Sequence, residues 1–286
     1  MIQAILTALA SVSQAGSSTI DKYIVSKQKI NYKVYLIISF FIISILTLPL
    51  FLFLGHVKPE ASQLFWIILL LIGVIITTGV NIVYYSVLRH EKLSEMQPVL
   101  LLAPLFTVIL TSIVFKEERN SLVIILAIIS SLALLWAHIK KEHFSFHKYL
   151  IPLLILSIII SPINAIISKK LLTVYDPFSF EFIRTSLALF VLYIFLHPNF
   201  KTLKKKSPKY LIYTNILTTL AGIIVYFSYI KLGIIQTVLI MNLMPMLVYI
   251  FAYIFLKEKI YWKNVVAMLI ILACVTINQI YAYIHF

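Results

Sequence analysis

The polar side chains that fall inside the long uncharged runs of this sequence are few, and they recur at helical spacing. Gln14, Ser17, Ser18 and Asp21 share one face of a first run; Ser161, Asn164 and Ser168 share one face of a sixth, where Pro162 interrupts the backbone ladder. Asn81, Tyr84 and Tyr85 punctuate a third run, and Gly222, Tyr226 and Tyr229 an eighth. In hydrocarbon such groups cost free energy unless they meet a partner or line a wet hollow, so a solute pathway between these four runs is expected. Two other readings stand beside it. Small and amide side chains also let membrane helices approach and bond to one another, and tyrosines also form belts at the membrane surface. A hollow walled by Tyr84, Tyr85, Tyr226 and Tyr229 would suit an apolar, aromatic or cationic organic solute better than an inorganic ion.

The ionisable and helix-breaking residues extend that pattern. Asp21 and Glu95 can each carry a coupling proton, and each also stands near enough to a run's end to be simply solvated. Glu181 and Arg184 stand three apart at the start of a seventh run, where they are expected to neutralise each other as a structural pair. Pro98, Pro104 and Pro245 free backbone carbonyls and can act as hinges or as fixed kinks. Asn242, just ahead of Pro245, either faces the pathway or satisfies a freed carbonyl.

Enzyme chemistry finds less support. The seven histidines lie in or near the connections without a His-Glu-x-x-His pair, and no Gly-x-Ser-x-Gly elbow, phosphate-binding loop or dinucleotide fingerprint occurs. His143 and His147, four apart, read as part of a solvated basic loop. No metal and no cofactor is expected. The one cysteine, Cys274, leaves no intrachain disulfide to form.

The elements that must hold these residues follow from composition. Of 286 residues 62% are hydrophobic and 12% charged, and the mean hydropathy is +1.02. Uncharged runs of about 20 residues, each able to cross a bilayer as a helix, recur from end to end. Segments such as LFWIILLLIGVII and NVVAMLIILACV lack the alternation of a transmembrane barrel, so the chain reads as an all-α integral membrane protein. Five helices are expected over Ile2–Ile24, Val34–Leu54, Leu64–Leu88, Leu93–Phe115 and Ser121–Ile139. Five more are expected over Tyr149–Ser168, Phe178–Leu196, Tyr210–Ile230, Leu232–Leu256 and Trp262–Ile284. The first run has no basic residue ahead of it and so reads as a membrane helix, not a secretory signal.

The net charge of +14 resides in short connections, so it orients the chain in the lipid bilayer; it does not imply nucleic acid. Seventeen of the Lys and Arg residues fall in odd-numbered connections and six in even-numbered ones, which places the odd connections in the cytoplasm and both termini outside. The most basic connection, Lys201 to Lys209, reads as an anchor facing anionic lipid.

Two stretches 141 positions apart are alike. Ala103-Pro104 followed by an apolar run to Phe115-Lys116-Glu117 matches Met244-Pro245 followed by a run to Leu256-Lys257-Glu258. Tyr85 and Tyr226 keep the same offset. Two units of five helices, residues 1–140 and 141–286, must cross the membrane in opposite senses, giving two inverted five-helix repeats. On these residues the sequence resembles the EamA family of the drug/metabolite transporter superfamily, whose units carry a proline in the fourth helix and a Leu-x-Glu-type ending. The stretch Ala15-Gly16-Ser17-Ser18-Thr19-Ile20-Asp21-Lys22 is similar to that family's first helix, and Asp176-Pro177-Phe178 with Arg184 to its seventh. The second helix lacks the family's Arg, and the first lacks its tryptophan-glycine pair. The resemblance implies a secondary transporter in the cell membrane, exporting a small organic metabolite or drug-like solute by alternating access, with a coupling proton or none, as monomer or homodimer. A membrane-embedded enzyme and a channel or scaffold are the other classes.

Overall fold

The structure is a computed structural model, and it describes residues 2–24, 30–90, 99–138, 150–198, 207–256 and 262–285. Ten helical segments follow one another in chain order. They are α1 (Ile2–Lys22), α2 (Tyr32–Leu54), α3 (Leu64–His90), α4 (Leu102–Val114) and α5 (Ser121–His138). Then come α6, in the successive pieces Leu150–Ile155, Leu156–Ile160 and Ser161–Leu171, α7 (Pro177–Leu196) and α8 (Ser207–Lys231). The last two are α9, in the pieces Gly233–Met241 and Leu243–Leu256, and α10 (Trp262–His285). Among the described residues seven helices are long and apolar enough to cross a membrane; Leu102–Val114 and Ser121–Ala137 are shorter apolar helices. With α1, which has the length but carries Gln, Ser, Thr and Asp along it, these make the expected ten.

Local chemistry sets the ends. Asn31 caps α2 by accepting from the Lys33 amide at 3.0 Å. Asp176 caps α7 by accepting from the Phe178 and Ser179 amides at 2.8 and 3.3 Å, with Pro177 in the first turn where its missing N–H leaves nothing unpaired. His197, in the left-handed region at φ 44°, ends α7 ahead of Pro198. Inside α6 the residues Leu156–Ile160 form a π-helical turn just before Pro162, which has no N–H to offer the preceding carbonyls.

The helices pair across the halves. α1 packs on α8 and, in the same sense, α6 packs on α3; α1 packs on α9 as α6 does on α4; α2 meets α8 as α7 meets α3. The pairs α2–α7 and α5–α10 join equivalent helices directly. These packing relations therefore reappear when every helix is advanced by five, as expected of two inverted repeats. The helix interruptions obey the same rule. A turn at Leu101 precedes α4 and a turn at Asn242 splits α9, and Pro104 and Pro245 stand third in the helical pieces that follow.

The even-numbered connections gather on one face. The Lys58 amide donates to the Val174 carbonyl at 2.9 Å, the Asp176 amide to the His56 carbonyl at 3.1 Å, and the His56 amide to the Asp176 carboxylate. Val57 and Tyr175 form an antiparallel bridge there. Gly55 fits beneath Asp176's partner Ser179, since a Cβ at Gly55 would lie 2.8 Å from the Ser179 hydroxyl oxygen. Beside this, Glu118 pairs with Lys169 at the end of α6 and accepts from the Ile235 amide at 2.9 Å in the first turn of α9. Gly233 makes that approach feasible: its φ is +83°, and a Cβ there would stand 2.7 Å from the Glu118 carboxylate. Connections α2–α3, α4–α5, α6–α7 and α8–α9 are thereby tied together, which fits their common side of the membrane.

Candidate solute pathway

Two cavities with common walls occupy the bundle interior. The larger, about 500 Å³, is bounded by Gln14, Ser18 and Asp21 of α1, Asn81, Tyr84 and Tyr85 of α3, and Tyr229 of α8, with residues of α4, α6 and α9 including Pro104 and Pro245. Its walls from α1, α3 and α4 belong to the C-terminal halves of α1 and α3 and the N-terminal part of α4, nearer the odd connections, while Tyr229 and Val238 border it from the even side. The smaller, about 210 Å³, is the polar one, with Ser39, Thr77, Asn81, Asn164, Glu181, Arg184, Asn215 and Thr218 in its wall. Asp21, Val80, Asn81 and Tyr85 line both.

Asp21 stands at that junction. Its carboxylate accepts from the Tyr35 hydroxyl of α2 at 2.5 Å, the Tyr85 hydroxyl of α3 at 3.1 Å and the Thr214 hydroxyl of α8 at 2.6 Å. It is 9% exposed, so the expectation of a solvated end-of-helix acid is corrected: the Tyr35, Tyr85 and Thr214 hydroxyls replace water around it. Among the described residues no cation stands within ion-pair distance of it. Glu181 and Arg184 form the expected pair, with Nη2 donating to Oε2 at 2.8 Å. The guanidinium lies over the rings of Phe180 and Tyr226, 5.5 and 5.2 Å from their centroids, and its Nε finds no partner among the described residues. The pair is thus built into the wall of the polar cavity as well as into α7.

Most of the sequence-predicted pathway residues meet here: Gln14, Ser18, Asn81, Tyr84, Tyr85, Asn164 and Tyr229 line one cavity or both. Two do not. Ser17 is fully buried in the α1–α8 contact, hydrogen-bonded to Thr214 at 2.8 Å and Thr218 at 2.6 Å, because a small hydroxyl at a close helix crossing finds its partner on the facing helix. Tyr226 stacks against Phe180 at 4.9 Å and lies behind Arg184, so it backs the wall without lining it. Asn242 has both functions considered for it in altered form: it borders the larger cavity, and its amide donates to the Ser130 and Ser131 hydroxyls of α5 at 2.7 and 3.2 Å. Glu95 and Pro98 lie outside the described residues.

Sequence reasoning missed Tyr35, Thr214, Asn215 and Thr218. Tyr35 follows directly on a helix start, where a tyrosine reads as a belt residue. Thr214 and Thr218, with Asn215 and Thr219, repeat at i, i+4 inside an apolar run, a signal of the kind that singled out α1.

An all-helical, multi-pass membrane bundle with inverted halves and a charged, hydrogen-bonded hollow at its centre is the plan of a secondary transporter. The model of the EamA-like transporter family matches residues 1–138 and again 148–279. The chain belongs to the EamA-like transporter family, of the drug/metabolite transporter superfamily. No curated protein matches it. Among solved structures, one described as a crystal structure of protein has a TM-score of 0.74 at 15% identity, covering 98% of this chain and 97% of that one, which supports the fold.

Proposed function

We propose that the chain is a carrier for a small organic solute, working by alternating access, and that the solute sits where the two cavities join, at Asp21, Asn81 and Tyr85. The observation that carries this reading is the pairing of a polar chamber with a tyrosine-walled one, with the buried Asp21 carboxylate in the wall of both. The even face is tied by the Glu118–Lys169 and His56–Asp176 contacts while the hollow lies toward the odd face, as suits a carrier resting with its outer side shut. Loading from the cytoplasmic, basic side would make it an exporter. Asp21 is the group through which a proton would be coupled, since of the two carboxylates in the cavity walls Glu181 is paired with Arg184, whereas Asp21 is held by hydroxyls and has no cation within ion-pair distance among the described residues. Pro104 and Pro245, after equivalent interruptions, are the hinges on which the halves would rock.

Proteoliposomes loaded with a radiolabelled metabolite panel test this. Saturable efflux that is accelerated by unlabelled solute on the far side is the expected result. Voltage-driven current without saturation would make it a channel, and product formation without movement would make it an enzyme.

A further inference from the structure

A second kind of recess lies on the outside of the bundle, a groove of about 750 Å³ between α2, α7 and α8. Its wall is apolar apart from Ser186 and the hydroxyl of Tyr193: Ile37, Ile38, Phe41 and Ile42 come from α2, Leu189 and Phe190 from α7, and Leu211 and Ile212 from α8. Phe41, Phe190 and Tyr193 present more than half of their surface outward. A concave apolar recess differs from the convex apolar surface of other spans, because a flexible chain lying in it is enclosed on three sides and exchanges slowly with bulk lipid.

Two lysines of the described residues stand near one end of the groove. α2 and α8 both start, and α7 ends, on the odd, basic face, and the groove is built from those ends. Lys33 stands one helical turn before Ile37, and Lys209 one turn before Tyr213 and beside Pro208 of the groove. Lys209 is exposed, its ammonium lying 5.7 Å from the centre of the Tyr213 ring. Among the described residues neither lysine has a carboxylate within ion-pair distance. A recess for hydrocarbon whose α2 and α8 walls each carry a lysine about one turn or less beyond the groove residues matches a molecule with a long apolar tail and an anionic head.

We infer that the α2–α7–α8 groove is a binding site for an anionic phospholipid of the leaflet on the basic face, one acyl chain lying along Phe41, Phe190 and Ile212 and the phosphate between Lys33 and Lys209. Each ammonium near a membrane surface is worth roughly a five-fold preference for an anionic over a neutral lipid. The preference falls as salt screens the head, while chain burial persists.

The test uses the full chain in mixed micelles with phosphatidylglycerol and phosphatidylcholine of identical tails, each carrying a photoactivatable diazirine in one chain. Phosphatidylglycerol is expected to label peptides of α2, α7 and α8 in preference to other lipid-facing helices, and in preference to phosphatidylcholine at the same sites. Lys33→Gln and Lys209→Gln should each lower that head-group preference several-fold without changing phosphatidylcholine labelling, which also reports that the fold persists. Ser186→Trp, which fills the groove, should reduce labelling by both lipids. Labelling spread evenly over the lipid-facing helices, equal labelling by the two lipids, or an unchanged preference in both lysine variants would overturn the inference. So would a lipid-stripped dimer that shields these three helices, since the occupant would then be a second copy. None of these outcomes bears on solute movement, so the carrier reading is judged separately.

Discussion

Asp21 is a carboxylate kept in the membrane interior with no cation within ion-pair distance among the described residues. Three hydroxyls from three helices converge on it, and a hydrogen bond to a charged acceptor is worth about 1.5–3 kcal/mol. Tyr85→Phe removes one of them and leaves the ring packing in place, so thermal unfolding of the purified variant should come at lower temperature, by an amount equivalent to about 1.5–3 kcal/mol. Asp21→Asn tests the functional side: solute exchange in proteoliposomes is expected to lose its dependence on a pH gradient, and a variant that keeps it would remove Asp21 from coupling. Tyr226 belongs to the same scale. As it backs Arg184, Tyr226→Leu should weaken transport through loss of the ring face under the guanidinium, about 2 kcal/mol in a desolvated setting, while Tyr226→Phe retains it. Equal rates in both variants would show that the stacking contact has no part in transport.

At the scale of the element, much was legible because membrane helices announce themselves by length and by the absence of charge. The α7 start could be read from Asp176-Pro177, the interruption in α6 from Pro162, and the α4/α9 equivalence from the two proline-to-glutamate stretches. What could not be read was which face of each helix meets which neighbour. Ser17 and Ser18 are adjacent in sequence, yet one is sealed against α8 and the other borders the cavity, and only the placement of α8 distinguishes them. Asp21 looked like an interfacial acid for the same reason, since α2 and α3 had to be in place before Tyr35 and Tyr85 could surround it. Asn278 on α10 gives a prediction of its own. It is fully buried, and neither its amide nitrogen nor its oxygen has a partner among the described residues. Asn278→Leu should therefore raise the midpoint of thermal unfolding, since an unsatisfied buried polar group costs about 1–3 kcal/mol. A lower midpoint would mean that the amide has a partner in the folded protein.

For the molecule as a whole, the clustering of the even connections puts them on one face, and the charge count predicts that this face is the outer one. A cysteine placed at Lys58 should react with an impermeant maleimide from outside intact cells, and one at Lys205 should not. Efficient labelling at Lys205 would reverse the orientation and with it the assignment of an exporter. The ties on the even face belong to this scale too: Glu118→Gln breaks the bond to Lys169, and it should increase access of the same reagent to a cysteine at Asn164 from outside. No change in access would mean that Glu118 does not hold that face shut.

The exchange of partners between the halves governs how the protein can be made. When α5 leaves the ribosome, α1 has yet to meet α8, and Thr7, Ser17 and Asp21 have none of their later companions Thr214, Thr218 and Ser228. An early intermediate of five inserted helices is then a loose raft with a polar seam turned to lipid or to an insertase. The seam closes only with the eighth crossing, so a chain stalled before Thr214 lacks the partners that Ser17 and Asp21 have on α8.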